Sequence, residues 1–403
     1  MVIETRQPGA GKRGRGQGDT VPRRIRLGMV GGGEGAFIGA VHRIAARLDD
    51  HYELVAGALS STPEKAQRSG RVLGLAPERS YGDFSTMASA EARREDGIEA
   101  VAIVTPNHMH APVARAFLRA GIHVICDKPV TTTLKDAKQL AALAARHDRI
   151  FAVTHNYSGY PMVRHAQQMV AQGALGELRV VQVEYPQDWL AEPLERSGQK
   201  QAAWRTDPAQ SGAGGCIGDI GTHAFHLLRT ITGLRVTELC AELSTFVAGR
   251  ALDDNAQVML RLANGARGLL WASQVAPGNE NNLRIRVYGS RGGLDWRQEH
   301  PNHLHWSPLG QPTQTLARGT VAANAAAARI TRLPGGHPEG YLEGFATLYG
   351  EIAQAIRAAR PGGPKADKAV AFPTIADGIE GVAFIQAVVA SSKKGGRWVR
   401  LPA

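Results

Sequence analysis

At 403 residues the chain exceeds what one ordinary hydrophobic core holds, and the usual size of domains divides it into two units. Its formal net charge of +11 is unevenly placed: seven Lys and Arg residues face only Glu4 and Asp19 between Met1 and Arg26, and the other basic residues are dispersed without the aromatic partners that nucleic-acid binders interleave, so nucleic acid is set aside as a main partner. The apolar stretches break off well short of a membrane span, the amino terminus has no apolar signal core, and Cys126, Cys216 and Cys240 have the spacing of neither a disulfide framework nor a zinc site; a cytoplasmic protein with no membrane contact and no metal is expected.

Residues 1–23 read as a basic, Gly-rich leader, disordered by composition. Ile25 to Val30 is a buried strand running into Gly31-Gly32-Gly33-Glu34-Gly35-Ala36-Phe37-Ile38-Gly39, and Ala40 to Leu48 has a helical pattern. Strand, glycines and helix in that order make a dinucleotide fingerprint, because glycine turns tightly, lets backbone approach a pyrophosphate and leaves helix amides facing it. Gly31 and Gly33 fit the first two positions; the third is Ala36 or, with a three-residue insertion, Gly39. A second strand, Tyr52 to Leu59, ends at Ser60, where such domains often place an acid for the adenosine ribose. Without that carboxylate, Lys65 or Arg68 can approach a ribose phosphate, and NAD and NADP both remain open.

Pro63 to Leu73 reads as helix and Ile98 to Val104 as a third strand, apolar throughout as a sheet covered on both faces requires. It ends in Thr105-Pro106-Asn107-His108-Met109-His110, where Thr105, Asn107 and His110 are expected to hydrogen-bond ribose and nicotinamide; His108 and His110 lack the acid or thiolate that would complete a metal shell. After helix Ala111 to Ala120, the strand Ile122 to Asp127 delivers Lys128, and Pro129 stops it. In an open parallel sheet the ligand crevice lies at the carboxyl ends of the strands, so Asp127, Lys128 and Pro129 are expected beside the cofactor, with the Lys128 ammonium aimed at bound ligand. Strand and helix alternate from 24 to 149 as in a Rossmann doubly wound parallel sheet, which gives an α/β fold; residues 150–403 form a second α/β domain.

Ile150 to Tyr157 is a strand whose Asn156 and Tyr157 would line the crevice. Pro186 to Asp207 reads as a long polar loop bearing Gln187, Asp188, Trp189, Trp204 and Arg205, suited to a sugar ring or, equally, to filling a domain junction. Gly218 to Ile231 is helical, with Asp219 and His223 at i and i+4 on one face; a carboxylate there can orient an imidazole or share its substrate hydroxyl, and an acid capping a helix over a buried histidine is the plainer alternative. From Glu238 to Trp306 short strands follow, with turns at Asn264-Gly265 and Ser290-Arg291-Gly292, as in a mostly antiparallel open sheet. Gly340 to Ala359 and Ile375 to Ser391 are helical, and His337 is placed within reach of the site.

Gly31-x-Gly33, Thr105-Pro106-Asn107-x-x-His110, Asp127-Lys128-Pro129 and Gly218-Asp219-Ile220-Gly221-Thr222-His223, in this order, resemble the glucose-fructose oxidoreductase, inositol dehydrogenase and MocA (Gfo/Idh/MocA) family over nearly the whole chain after the leader. The resemblance implies an NAD- or NADP-dependent oxidoreductase acting on a secondary hydroxyl of a sugar, glycoside, anhydrosugar or cyclitol. It implies that Lys128, Asp219 and His223 match the family's catalytic lysine, aspartate and histidine, and that the open sheet joins subunits into a homodimer or homotetramer. Asp127 stands where Glu is common, and the glycine loop is longer than usual. Gln187-Asp188-Trp189 and Trp204-Arg205 are similar to segments of the family's anhydrosugar and glycoside dehydrogenases. An NAD-recycling glycosidase and a non-catalytic dinucleotide sensor are the alternatives, and the sensor has no need of three proton-handling side chains.

Overall fold

The computed structural model describes residues 23–401, so the expected leader lies outside the described residues except for Arg23, which forms a two-pronged pair with Glu99 at 2.9 and 3.0 Å. In the first half, β1 (Ile25–Gly31), α1 (Phe37–Leu48), β2 (Tyr52–Ala58), α2 (Pro63–Val72), α3 (Phe84–Glu91), β3 (Ala100–Val104), α4 (His110–Arg119), β4 (His123–Cys126), α5 (Leu134–Arg146) and β5 (Phe151–Val153) follow one another. The strands form one parallel sheet in the order β2-β1-β3-β4-β5. Every residue of β3 and β4 is buried, as strands covered on both faces must be. Helix starts are set locally: the Asp83 side chain accepts from the Thr86 amide to open α3, and Thr133 accepts from the Asp136 amide to open α5.

The second half runs through α6 (Pro161–Ala171), β6 (Leu178–Pro186), α7 (Lys200–Arg205), α8 (Pro208–Ser211), α9 (Thr222–Thr232), β7 (Val236–Ser244), β8 (Asn255–Leu262), β9 (Arg267–Ser273), β10 (Arg284–Gly289), β11 (Gly292–Arg297), β12 (His303–Pro308), β13 (Gln314–Ala317), α10 (Ala325–Ile330), α11 (Tyr341–Ala358), α12 (Ile375–Lys393) and β14 (Val399–Arg400). Its nine strands are ordered β13-β12-β11-β10-β6-β9-β8-β7-β14. All neighbours pair antiparallel except β6 and β9, which run parallel. The β8–β9 hairpin turns at Gly265 with φ +89, a conformation that glycine adopts without cost.

Four features differ from the reading of the sequence. The parallel sheet takes its last strand from residues 151–153, beyond the boundary drawn at 150. Helix α11 packs on this first sheet: Phe345, Leu348, Tyr349, Ile352 and Ile356 share a core with Ile25, Leu27, Met29 and Tyr52, and the Tyr52 hydroxyl donates to the Tyr349 carbonyl at 3.0 Å. Helical periodicity states that a face is buried but not against which sheet. The expected loop 186–207 contains α7 and the first cap of α8, each started by a side chain (Gln199 to the Ala202 amide, Asp207 to the Ala209 amide); helices this short show no hydrophobic period. Contrary to the expectation that every apolar stretch stops short of a membrane span, α12 is long and apolar enough to cross one, yet Val382 enters the core of the first sheet and Phe384, Ile385 and Val388 that of the second.

Candidate functional site

β2 and β3 leave β1 in opposite directions, so the loops after β1 and β3 part and open a crevice at their carboxyl ends. Its floor is bare backbone. A Cβ on Gly39 would lie 2.3 Å from the Gly32 carbonyl oxygen, and one on Gly33 would lie 2.5 Å from that of Leu59. The third close-packed glycine is therefore Gly39, with the insertion, and Ala36 is the residue preceding α1. No side chain caps that helix, so its first amides are left for a ligand. Gly31, at φ +80, faces Thr105, whose hydroxyl is buried without a partner. Uncapped amides, a side-chain-free floor and an unsatisfied hydroxyl at the strand ends fit a dinucleotide's pyrophosphate and ribose.

Around the crevice the expected contacts fall out unequally. Ser60 accepts from the Thr62 amide at 3.3 Å, and Arg68 pairs at 3.5 Å with Glu34 of the glycine loop. Asn107 spends its amide on the Ser211 carbonyl at 2.9 Å, and His110 is buried with its two ring nitrogens 2.8 Å from the Pro129 carbonyl and 2.9 Å from that of Thr105. Both are expected on the cofactor; in the structure their nitrogens brace the loops that would hold it, because buried amide and ring nitrogens must find partners.

Lys128 and Asp219, 91 residues apart, meet here. The ammonium donates to the Asp219 carboxylate at 2.9 Å and to its carbonyl at 2.5 Å, and each side chain is 13% exposed. The other carboxylate oxygen accepts from Arg205 at 3.0 Å and from Gln274 at 2.9 Å. Asp127 anchors the loop, accepting from the Lys128 amide at 3.0 Å and the Thr154 hydroxyl at 2.9 Å. Burial alone would raise the pKa of Asp219, but Lys128 and Arg205 outweigh it and hold the carboxyl well below its ordinary range. Asp219 lies in a π-helical turn, Ile217–Gly221, that opens into α9, a local widening common at functional sites. His223 follows on α9, buried, with its Nδ1 unpartnered. Burial first and the Lys128 charge second push its pKa well below the ordinary value, so its imidazole is neutral. Behind it His155 stands edge-on at 5.6 Å and stacks on His226 at 4.2 Å.

A polar wall faces this cluster. The Tyr157 ring meets His223 edge-on at 4.9 Å, its hydroxyl lies 2.6 Å from that of Tyr185, and Tyr185 donates to Asn281 at 2.7 Å. Gln187 donates to the same Asn281 oxygen at 2.7 Å and accepts from Trp189 at 3.0 Å. The Arg205 guanidinium lies 4.2 Å over Trp204, which thus supports the arginine that holds Asp219. Asn156 is buried with its amide nitrogen unpartnered. Asp188 is turned away onto the Gly278 amide at 3.3 Å, and His337 is exposed, engaged through its carbonyl by Arg318. The sequence reading missed Tyr185, Gln274 and Asn281. Tyr185 and Gln274 sit at the carboxyl ends of the parallel pair β6 and β9, and that pairing is the signal that would have found them.

Residues 25–155 match the family model described as the oxidoreductase family with an NAD-binding Rossmann fold, and residues 163–295 match that of the GFO/IDH/MocA C-terminal domain. Among solved structures, an oxidoreductase from Sinorhizobium meliloti is 56% identical, with a TM-score of 0.86 over 94% of this chain and 100% of that one. An inositol dehydrogenase homologue from Azotobacter vinelandii, complexed with NADH and myo-inositol, is 38% identical, with a TM-score of 0.88 over 94% and 98%. Levoglucosan dehydrogenase from Pseudarthrobacter phenanthrenivorans is 27% identical over 94% of this chain and 99% of its own.

Proposed function

The chain belongs to the Gfo/Idh/MocA oxidoreductase family, and we propose that it is an NAD-dependent dehydrogenase oxidising a secondary hydroxyl of a ring-shaped polyol, either a cyclitol, a sugar or an anhydrosugar. The observation that carries this reading is the meeting of the Lys128 ammonium with the Asp219 carboxylate, one helical turn from a neutral His223, beside the glycine crevice. Relatives whose structures hold NADH with myo-inositol or with levoglucosan support the substrate class.

Bound NAD supplies the pyridinium carbon that takes up hydride; Gly31, Gly33, Gly39 and Thr105 would hold it. Loss of hydride from a carbinol requires the hydroxyl proton to leave as well, and a neutral imidazole accepts it. His223 does so through Nε2, because its Nδ1 is buried. Lys128 donates to the same oxygen and stabilises its developing negative charge. Asp219 fixes that ammonium and, once His223 is protonated, offsets its charge. Tyr157 and Gln187 line the pocket with groups that pair ring hydroxyls. NAD is preferred over NADP because Arg68 is already neutralised by Glu34, whose carboxylate would repel a ribose phosphate.

The open face of the nine-stranded sheet supports a homodimer or homotetramer: Met259 and Leu269 there are 47% and 48% exposed beside half-buried Trp271. Three unpaired thiols support a reducing, cytoplasmic setting. The test is NADH formation during a screen of myo-inositol, levoglucosan, free sugars and glycosides with NAD and with NADP. Oxidation of at least one ring polyol is expected; cofactor binding without turnover on any of them would overturn the reading.

A further inference from the structure

The glycine loop carries a side chain that dinucleotide binding does not require. Phe37 is the first residue of α1, where a pyrophosphate is met by backbone amides that any side chain would provide, yet it is a phenylalanine with 67% of its surface exposed. It is not isolated. Its ring lies 6.5 Å from that of Tyr341, tilted by only 22°, at the first residue of α11. The Tyr341 ring is 6.5 Å from Tyr157, and Tyr157 meets His223 at 4.9 Å. A row of rings therefore leads from the mouth of the glycine loop to the imidazole. Its two outer members come from α1 and α11, which pack together on the first sheet. Among the described residues the Tyr341 hydroxyl has no hydrogen-bond partner, although the ring is half-buried and burial pushes its pKa well above that of an ordinary phenol, so it remains a donor.

Ring polyols have one property that an aromatic row can read. A six-membered ring with equatorial hydroxyls presents its C–H bonds on its faces and its hydroxyls at its rim, whereas an open-chain polyol has no such face. Flat apolar surface on one side and polar groups at the edge are what orient such a ligand. We propose that Phe37 and Tyr341 form an aromatic wall of the substrate pocket, stacking on the C–H face of a cyclic polyol while the Tyr341 hydroxyl meets its rim, and thereby select rings over open chains. The inference rests on the dehydrogenase reading above and adds two residues to it: Phe37, whose side chain the glycine fingerprint leaves unspecified, and Tyr341 from α11.

The experiment compares wild type, Phe37→Ala and Phe37→Tyr. Binding of myo-inositol and of open-chain sorbitol to the NADH complex is measured by calorimetry, NADH affinity by fluorescence titration, and subunit mass by sedimentation. Phe37→Ala is expected to weaken myo-inositol binding about tenfold, as loss of a buried aromatic face implies, with sorbitol binding and NADH affinity within about twofold and the mass unchanged; Phe37→Tyr restores the ring preference. Myo-inositol binding unaltered by Phe37→Ala, a loss confined to NADH affinity, or a changed subunit mass with intact polyol binding would each overturn the wall while leaving wild-type turnover, and so the dehydrogenase reading, in place. Wild type that binds NADH but neither binds nor oxidises a ring polyol sinks the reading and the wall together.

Discussion

Two edges bound the crevice, and they are built by opposite means. At the edge of the five-stranded sheet the contact surface is made by removing side chains: Gly32, Gly33 and Gly39 leave backbone so close that an added Cβ would collide with it. Opposite it, where the loop after β4 meets the end of β9, it is made by crowding polar side chains until they satisfy one another, with Lys128, Arg205 and Gln274 converging on Asp219. The first edge is specified by sterics and tolerates no additional atom. The second is specified by charge and tolerates no missing partner. One cradle thus suits a ligand of constant shape, and the other a reaction in which charge moves.

Breaking the charged edge should cost most. Lys128→Ala and His223→Ala are each expected to lower turnover by about a hundredfold or more while NAD affinity stays within a few-fold, as measured by steady-state kinetics and fluorescence titration; unchanged turnover in both would remove them from the chemistry. Asp219→Asn leaves two half-buried cations, Lys128 and Arg205, short of a counter-charge and should also destabilise the fold, by about 1–3 kcal/mol in denaturant titrations. Gly39→Ala attacks the bare edge. With its Cβ 2.3 Å from a carbonyl oxygen the loop must shift, so NAD affinity should drop about tenfold while the pH dependence of residual turnover remains that of wild type.

The pH response sharpens the comparison further. Because burial and Lys128 lower the pKa of His223, the imidazole stays neutral below the ordinary value of about 6.5, and the acid limb of kcat/KM should lie beneath it. Removing the Lys128 charge raises that pKa and should move the histidine's titration upward, read by NMR in Lys128→Ala. Stability follows the same sign. The unfolded imidazole takes up a proton near pH 6.5 that the folded one refuses, so this contribution is present above that pH and is lost as pH falls. The smallest effect concerns the cofactor's far end, where Glu34→Gln frees the exposed Arg68 and should improve NADP use by a few-fold at most in kcat/KM.

What could be read from the sequence follows the same division. Gly31, Thr105 and Lys128 were legible because buried parallel strands end abruptly, and the residues just beyond them belong to the crevice. Asp219 and His223 were legible as a helical pair, but only the family resemblance attached them to Lys128. Tyr185, Gln274 and Asn281 were not legible, since the parallel pairing of β6 with β9 joins Glu184 to Trp271, 87 residues on, and is announced by no local pattern. 

Tyr341 enters from a helix whose period says nothing about which sheet it covers. Likewise Asn107 and His110 carry the right chemistry in the right turn and spend it on neighbouring carbonyls, a competition that depends on distances no spacing encodes.

Helix α11 lies more than three hundred residues after β1, yet it covers one side of the sheet that β1 begins. On the ribosome, then, the nucleotide-binding half is made first and completed late: Ile25, Leu27 and Met29, covered only in part by α1, wait for Leu348 and Ile352 to emerge. A nascent chain arrested before residue 341 should stay open to protease throughout that sheet, and the burden of keeping it from aggregating falls on chaperones until synthesis is almost done.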